Sequence, residues 1–243
     1  VVDNNTNDET QLVCQEFKNR LPHFRVVIEK TQGIAYARNR AVAEANAEWI
    51  GFVDDDAMMS NEWLAVAEEE IKRNCFDAVG GPYVAWHRYG PPPVWFDDQW
   101  ASNNPKERPN GELSEGNYPT SGSCIFKSCW GHQIVFPTHL GMSGGKTGYG
   151  EETYFFRKMK EKGAIIGWRR ELLIHHCVLP IKYSFIWRVN SYFLNGKDSI
   201  QTQYDFHSFK RILSAAWMIP IIFFESLFEW VKNRQADQGK HIL

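Results

Sequence analysis

Three consecutive carboxylates, Asp54, Asp55 and Asp56, follow directly after the apolar run 49–53. That run predicts a short buried strand, whose end delivers concentrated negative charge to one edge of a sheet. Because neighbouring carboxylates repel each other and resist desolvation, their position favours a shared divalent cation, Mg²⁺ or Mn²⁺, or a hydroxyl-rich ligand. An acidic turn exposed to water is the alternative that these residues alone leave open.

A second acidic pair, Glu151 and Glu152, precedes a helical stripe of apolar residues that begins at Phe155, and Gly163 supplies a helix stop. Both glutamates therefore fall in the first turn of a helix predicted over 149–162. A helix N-terminus stabilises negative charge, so a carboxylate there stays ionised near neutral pH, as a general base requires. Glutamate is favoured in any first helical turn, so a structural role is the alternative.

Strand and helix patterns alternate along the first part of the chain. The apolar stretches 26–28 and 49–53 predict strands. The alanine-rich stretch 34–47, preceded by Gly33, and the amphipathic stretch 61–73 predict helices. This order is typical of a largely parallel sheet with helices on its faces, in which ligands bind beyond the carboxyl ends of the strands. The acidic run falls at such an end.

The composition is that of an ordinary globular protein. Its 243 residues, 43% hydrophobic and 23% charged, are enough for one large domain with a substantial core. The net charge of -2 provides no basic field for nucleic acid. The five cysteines show no CxxC spacing and are odd in number, so reduced thiols in the cytoplasm are the simplest account.

The most specific pattern of the sequence is a series of six short stretches: VVDNNTNDET (1–10), GIAYARN (33–39), FVDDD (52–56), PTSGSCIFK (119–127), GEET (150–153) and HCVLP (176–180). In order and approximate spacing they resemble the family 2 glycosyltransferases of GT-A fold. The resemblance implies an α/β architecture with a mostly parallel sheet flanked by helices. It also implies transfer of a sugar from a nucleotide-sugar donor with inversion at the anomeric carbon. Cys124, Lys127 and Glu152 depart from the family's asparagine, arginine and aspartate.

On the donor side, the resemblance implies a divalent metal, Mn²⁺ or Mg²⁺, that neutralises the charge of the departing diphosphate. His175 and His176 follow the stretch 171–174, which predicts a strand. Adjacent histidines on a strand point to opposite faces, and the resemblance selects His176, with a purely structural histidine as the alternative. For Arg38, which could reach a phosphate, the alternative is a solvated helix face. The implied residues are Asp3, Asn4, Arg38, Asp54 and Asp55 for the donor nucleotide, and Asp55, Asp56 and His176 for the metal, the choice between Asp55 and Asp56 remaining open.

On the acceptor side, Glu152 matches the family's catalytic base, which takes the proton of the acceptor hydroxyl as it attacks. Glu151 belongs to the same helical turn and is the second catalytic candidate. Glutamate in place of aspartate lengthens the arm by one methylene, and placement matters in catalysis. Ser121 and Gly122 lie in the stretch that resembles the family's acceptor-side loop.

A segment rich in proline, asparagine and glycine reaches to Asn117 and carries the tryptophans Trp86, Trp95 and Trp100. Long loops in compact domains are commonly functional, and aromatic faces stack well on the apolar faces of sugar rings. We therefore predict that Trp95 and Trp100 help to bind the acceptor. Hydrophobic anchoring of the loop is the alternative.

The chain departs from the family at its beginning. The family's first strand and the helix after it precede the stretch that resembles residues 1–10, and this chain contains neither. In the family, that strand lies between the second strand and the strand that ends in the acidic motif. We therefore expect a gap at the centre of the sheet, with costly unpaired edges. Residues 1–203 are interpreted as an N-terminally incomplete GT-A domain of a longer enzyme.

Residues 204–243 are interpreted as a separate C-terminal helical segment. Its uncharged apolar stretch 212–224 is too short to span a bilayer, and basic residues flank it. An amphipathic helix at the cytoplasmic surface of the membrane is expected, and a helix packed across the domain or in a dimer is the alternative. The expected location is cytoplasmic, with peripheral membrane contact through this segment.

The expected function is inverting transfer of a sugar from a nucleotide-diphosphate-sugar donor to a hydroxyl of a saccharide or lipid-linked acceptor. Polysaccharide or glycoconjugate biosynthesis is the expected setting. A metal-dependent nucleotidyl or phosphoryl transferase would also use clustered carboxylates on an α/β sheet. The absent first strand favours a further alternative, an inactive carbohydrate-binding remnant.

Overall fold

The computed structural model describes residues 1–103, 108–120, 122–144 and 146–203. Two predictions lie outside these residues: the acceptor role of Ser121 and the amphipathic segment 204–243. Among the residues described, no helix is both long and apolar enough to cross a membrane.

Strands and helices alternate along the first half of the chain, as the sequence predicts. In chain order the elements are β1 (Val2–Asp3), α1 (Thr10–Lys18), β2 (Val27–Ile28), α2 (Ile34–Glu44), β3 (Trp49–Val53), β4 (Ala57–Met59), α3 (Trp63–Arg73), β5 (Ala78–Gly80), β6 (Tyr83–Trp86), β7 (Gly111–Glu112), β8 (Ser123–Lys127), α4 (Ser128–Gln133), α5 (Glu151–Glu161), β9 (Ile166–Trp168), β10 (Ile174–Cys177) and α6 (Phe185–Gln203). Short 3₁₀ helices occupy Asp98–Ala101 and Pro180–Tyr183.

Two predicted elements differ from the structure by three residues in their bounds, and the other predicted bounds agree to within two residues. The helix predicted over 34–47 is α2, which ends before Ala45 because that residue adopts an extended backbone with φ -73° and ψ 131°. The strand predicted over 171–174 is β10, which begins only at the end of that range. A turn closed by the Leu172 N–H and the Arg169 carbonyl oxygen (3.2 Å) precedes it. Both histidines therefore lie within the strand.

The main sheet has five strands in the order β3-β8-β5-β9-β7. β5 and β9 are parallel, whereas β8 is antiparallel to both its neighbours and β7 is antiparallel to β9. The sheet is therefore mixed, which corrects the prediction of a mostly parallel arrangement. A parallel neighbour needs a crossover connection, usually a helix. The described part of the insertion before β8 contains a 3₁₀ turn and the short strand β7 but no α-helix, and β8 enters the sheet in the reverse direction.

A second sheet joins the acidic run to the two histidines. Its strands are ordered β4-β10-β6, with β10 antiparallel to β4 and parallel to β6. The register sets His176 opposite Ala57 on one side and Ala85 on the other. Because β4 begins directly after Asp56, this register brings His176 to the carboxyl end of β3.

Helix α5 packs through the apolar stripe that the sequence predicts. Phe155, Phe156 and Met159 are fully buried. The ring of Phe155 stacks on Phe136, with centroids 4.3 Å apart. Burying each such side chain contributes roughly 1.5–3 kcal/mol. This packing fixes the helix, and with it the first turn that carries the two glutamates.

The first two strands do not join the main sheet. β1 and β2 form a separate parallel pair. Within the described chain, β1 pairs only with β2 and the edge strand β3 only with β8, so each leaves one edge unpaired. Both strands, together with α1 and α2, line a cavity of about 1330 Å³. Unpaired edges of the kind that we expect thus occur at β1 and β3 in the described chain.

Candidate active site

The acidic run divides between two neighbouring locations. The Ala57 N–H donates to the Asp54 carbonyl oxygen (3.1 Å), and this turn leads the chain from β3 into β4. Asp54 and Asp55 line the cavity. Asp56 instead contacts His176, with Oδ2 of Asp56 3.4 Å from Nε2 of His176.

The backbone around Asp56 holds this pair in place. The Cys177 N–H donates to the Asp56 carbonyl oxygen (2.8 Å). Burial raises the pKa of the Asp56 carboxyl, but the hydrogen bond and charge of His176 and the charge of Lys182 outweigh burial, so the pKa lies below its usual value. Asp56 is therefore a carboxylate at neutral pH. The other ring nitrogen of His176, Nδ1, is buried without a hydrogen-bond partner in the described structure.

Asp56 and His176 supply two ligand types that are common at divalent-metal sites. Asp55, predicted as a further ligand, borders the cavity instead. No set of three or more His, Cys, Asp or Glu side chains that could hold a metal converges among the described residues. The residues present fit a metal whose coordination is completed by substrate oxygens, as when magnesium is held by one or two carboxylates and phosphates.

Arg38 connects the two acidic groups predicted from the sequence. It lies in the second turn of α2, and its side chain is 8% exposed. Its Nη2 is 3.5 Å from Oδ1 of Asp54, and its Nη1 is 3.7 Å from Oε2 of Glu152. Nη1 also pairs, at closer range, with Oε1 of Glu151. The end of β3 and the start of α5 therefore face one shared site.

Burial and mutual repulsion act on these carboxylates. Burial raises the pKa of Asp54, with smaller contributions from the charges of Glu152 and Asp56, while Arg38 lowers it in part. Burial and the charge of Glu152 likewise raise the pKa of Glu151, and Arg38 opposes both. One guanidinium thus faces three carboxylates. The remaining negative charge favours a cation or a hydroxyl-rich ligand.

The two glutamates of α5 differ in exposure. Both lie in the first turn, as predicted, directly after Gly150, which adopts φ +95°. The side chain of Glu151 is 7% exposed and that of Glu152 is 27% exposed. Because Glu151 is enclosed against Arg38, Glu152 is the member of the pair that a ligand can reach.

Asp3 and Asn4 border the cavity, but their side chains are engaged in local hydrogen bonds. The buried Asp3 accepts from the Thr6 N–H (2.9 Å), which lowers the pKa of the Asp3 carboxyl. Asn4 donates to the Thr31 carbonyl oxygen (2.7 Å) and accepts from the Gly33 N–H (2.7 Å). These bonds shape the turn before α2. Contacts of Asp3 and Asn4 with a nucleobase and ribose stay a prediction.

Gly122 lies against the donor side of the site. Val53 pairs with Ser123, so the start of β8 is next to the end of β3. A Cβ atom at Gly122 would lie 2.5 Å from Oδ2 of Asp54, which is too close for any side chain. A side chain at this position would displace the Asp54 carboxylate, so the predicted acceptor loop adjoins the predicted donor residues.

The segment that carries Trp95 and Trp100 packs around the buried Phe96. Phe96 is 8% exposed, and its ring centroid lies 5.0 Å from that of Tyr183. Trp95 and Trp100 flank it, half-buried, with ring centroids 6.3 Å apart. The guanidinium of Arg188 lies 4.7 Å from the Trp100 ring centroid. Hydrophobic anchoring thus applies to Phe96, while the two tryptophans keep exposed surface.

Sequence reasoning missed the polar contacts that fasten this segment. His87 Nδ1 is 2.8 Å from the Tyr183 hydroxyl, and His87 Nε2 is 2.7 Å from Oδ1 of Asp98. The Arg188 guanidinium donates to the Trp100 carbonyl oxygen (3.3 Å). No sequence signal indicated these pairs, since Tyr183 lies 96 residues from His87.

These observations agree with what the chain resembles among known proteins. Residues 1–129 match the model of the family described as Glycosyl transferase family 2. This chain belongs to glycosyltransferase family 2. The resemblance inferred from the six stretches is confirmed.

Two curated relatives of this family 2 chain resemble most of its length. It is 25% identical over 199 residues to the succinoglycan biosynthesis protein ExoM of Rhizobium meliloti (strain 1021). The matched region is 81% of this chain and 62% of ExoM. It is 23% identical over 223 residues to glycosyltransferase AglE of Haloferax volcanii, covering 90% of the chain and 68% of AglE. The family 2 chain therefore spans only part of each relative.

Solved structures show the same fold. S. aureus TarS 1-349 in complex with UDP superposes with a TM-score of 0.55 at 20% identity, over 84% of this chain and 56% of that chain. The mannosyltransferase PcManGT from Pyrobaculum calidifontis, in complex with GDP-Man and Mn²⁺, superposes with a TM-score of 0.57 at 19% identity. This match covers 98% of this chain and 65% of PcManGT. The GT-A fold predicted for the family 2 chain is thus confirmed.

Proposed function

We propose that this chain carries out inverting glycosyl transfer from a nucleotide-diphosphate-sugar donor to a hydroxyl of a saccharide or lipid-linked acceptor. One observation carries the proposal. Arg38 brings Asp54 at the end of β3 and Glu152 at the start of α5 to one site beside the cavity. Direct displacement needs a donor-binding group and a base in one place, because its rate depends on their relative position.

The donor occupies the cavity beside Asp54 and Asp55. Asp54 and Asp55 follow the end of β3, and ligands of open α/β sheets bind beyond the carboxyl ends of the strands. Support for this class of donor comes from structures of the same fold with UDP, with UDP-GlcNAc and with GDP-Man.

Asp56 and His176 hold a divalent metal, Mn²⁺ or Mg²⁺, at the edge of the donor site. When bound, the metal supplies a positive charge that stabilises the diphosphate leaving group. Lys182 adds a second positive charge at this edge, since its charge acts on both Asp56 and Asp54. A Mn²⁺ complex of the same fold supports metal use.

Glu152 acts as the general base. Its carboxylate is partly exposed, whereas Glu151 is enclosed against Arg38. Its place at the helix N-terminus stabilises the ionised form. Glu152 takes the proton of the acceptor hydroxyl as that oxygen attacks the anomeric carbon from the face opposite the diphosphate. One such displacement inverts the anomeric configuration.

Gly122, Trp95 and Trp100 contribute to the acceptor side. Gly122 adjoins Asp54, and the exposed surface of the two tryptophans offers a flat apolar face to a sugar ring. The relation to ExoM supports a setting in polysaccharide or glycoconjugate biosynthesis. Cytoplasmic location, with peripheral membrane contact through residues 204–243, belongs to the same proposal.

Donor binding is tested with the full chain by thermal unfolding against a panel of nucleoside diphosphates, with and without Mn²⁺. A diphosphate present at about 100 times its Kd stabilises the folded state by about 2.7 kcal/mol. We expect one nucleoside diphosphate to raise the Tm clearly, and more so with Mn²⁺. The absence of any shift over the whole panel would contradict the donor site.

Product analysis separates the proposal from its rivals. With the donor selected by the panel, glycosyl transfer releases an intact nucleoside diphosphate and a sugar linked to the acceptor with inverted configuration. Nucleotidyl or phosphoryl transfer would instead place nucleotide or phosphate on the acceptor. A remnant without activity would bind the diphosphate but form no product.

Replacing Trp100 by alanine is expected to raise the acceptor KM by about tenfold, because loss of one aromatic contact costs about 1 kcal/mol or slightly more. The donor KM should stay the same. Trp49→Ala is the control, since Trp49 is also half-buried but lies at the opposite end of β3. Initial rates at varied acceptor concentration give the result. Equal acceptor KM values for Trp100→Ala and the unchanged protein would remove Trp100 from the acceptor site.

A further inference from the structure

We propose that Arg38 is a positioning residue: its guanidinium holds the base Glu152 and the donor-side Asp54 in fixed relation, and acts through them without touching the substrate. The inference rests on the proposed function, because it concerns the same two carboxylates. It gives Arg38 a role different from the phosphate contact that the sequence suggests.

The contacts of Arg38 reach two elements that are far apart in the sequence. Nη2 faces Asp54, which follows β3, at 3.5 Å. Nη1 faces both glutamates of α5, with Oε2 of Glu152 at 3.7 Å and Oε1 of Glu151 closer. A planar guanidinium with donors on both terminal nitrogens spans these groups at the same time.

The helix that carries Arg38 is itself held firmly. Asn39 donates through Nδ2 to the Phe136 carbonyl oxygen and accepts through Oδ1 from the Phe136 N–H, both at 2.9 Å. The Phe136 ring lies 5.9 Å from the Arg38 guanidinium and stacks on Phe155 of α5. Arg38 therefore extends from a part of α2 that is already linked to α5, which makes its position well defined.

A phosphate is a poor competitor for this guanidinium. The Arg38 side chain is 8% exposed and lies among three carboxylates. A phosphate would bring further negative charge into that group and displace contacts that compensate buried charge. The structure therefore favours a fixed internal cation over a donor-binding one.

Titratable groups of several elements face Glu152. Among the described residues they include Arg38 on α2, Asp54 after β3, Tyr83 on β6, Cys124 on β8 and Glu151 on its own helix. Of these, Arg38 alone carries positive charge at neutral pH. Without it, burial and the charge of Glu152 favour protonation of Glu151, and none of these groups supplies a positive charge to hold Glu152 in place.

The test compares Arg38→Met, Arg38→Lys and a matched control, Arg169→Met. Arg169 is also largely enclosed, with a side chain 15% exposed, and it faces three carboxylates: Glu69 at 3.6 Å, Glu70 at 3.3 Å and Glu171 at 3.5 Å. It belongs to no part of the proposed site. Any general effect of removing a buried arginine should therefore appear in Arg169→Met as well.

We expect Arg38→Met to lower kcat by about 10²-fold, the scale of a small misplacement of reacting groups, and to change the donor KM little. The acid limb of the kcat profile should move to higher pH, because Arg38 then no longer opposes protonation of Glu151 beside the base. Arg38→Lys keeps the charge and should restore folding and part of the pH profile, but not full kcat. Arg169→Met should lower the Tm and leave the pH profile unchanged.

Two results would overturn the inference. One is a kcat profile of Arg38→Lys and Arg38→Met with the same acid limb as the unchanged protein. The other is an effect confined to the donor KM, which would indicate a phosphate contact.

If no donor is turned over, the proposed function fails separately, and ¹³C-glutamate NMR titration of the Arg38→Met, Arg38→Lys and unchanged chains decides the positioning role. The Glu151 signal should titrate at higher pH in Arg38→Met, where Arg38 no longer opposes burial, than in Arg38→Lys and in the unchanged chain, and equal titration in all three overturns the role.

Discussion

Glu152→Gln is expected to lower kcat by about 10²- to 10⁴-fold, the range that general base catalysis contributes. Glutamine keeps the size of the side chain and its hydrogen-bonding capacity, but its amide cannot take the proton of the acceptor hydroxyl. The donor site beside Asp54 is unaffected, so the donor KM should stay close to that of the unchanged protein. Initial rates at saturating donor and acceptor measure the effect.

Two neighbouring variants make this result specific. Glu161→Gln, in the last turn of α5, removes an exposed glutamate that pairs with Arg157 and Lys158, and should leave kcat unchanged. Glu151→Gln removes the carboxylate closest to Arg38 and should lower the Tm, with a smaller loss of kcat than Glu152→Gln. A larger loss of kcat in Glu151→Gln than in Glu152→Gln would make Glu151 the general base instead of Glu152.

The parts of the site that sequence predicts are those that depend on local pattern. The run 49–53 forms β3, and Asp54 follows at its end. A short apolar stretch followed by charged residues favours a strand that ends where the charges reach water. The stripe that begins at Phe155 forms α5 and sets both glutamates in its first turn. In each case the residues that decide the structure lie within a few positions of the functional residue.

The pairing of Arg38 was beyond such reasoning. Its contact with Glu151 joins residues that are 113 apart in sequence, and it depends on how α2 and α5 pack on one sheet. From the sequence alone, Arg38 could equally belong to a solvated helix face, and Glu151 could be an ordinary glutamate of a first helical turn. The parallel prediction for the main sheet failed for a related reason. The direction of β8 is set by a long insertion, and insertions carry little periodic signal.

The choice between Asp55 and Asp56 illustrates the same limit. Both stand in one acidic run, and each fits a metal on chemical grounds. Our proposal favours Asp56 because of the register of β10 against β4, which sets His176 opposite Ala57 and next to Asp56. Register is a property of strand pairing and cannot be derived from the run itself.

Removing the metal is expected to lower the transfer rate by about 10²- to 10³-fold, the scale of losing one group that stabilises developing negative charge. Asp56→Asn should have a similar effect, and it should weaken Mn²⁺ binding by at least about 10-fold. Mn²⁺ binding is measured by electron paramagnetic resonance with the nucleoside diphosphate present, because in the described part of the chain only Asp56 and His176 come together for the metal. Added Mn²⁺ should restore the chelated protein but not the variant at equal concentration.

The chain offers a matched control for this experiment. Asp98 forms an equivalent pair with His87, at 2.7 Å, outside the donor site. Asp98→Asn should therefore leave Mn²⁺ binding unchanged, which shows that an aspartate–histidine pair alone is insufficient. If chelation left the transfer rate unchanged, Lys182 would be the remaining described cation beside Asp56 and Asp54 for the departing diphosphate, and the metal role of Asp56 and His176 would be wrong. In that case Lys182→Ala should lower the transfer rate by the factor that is expected here for Asp56→Asn.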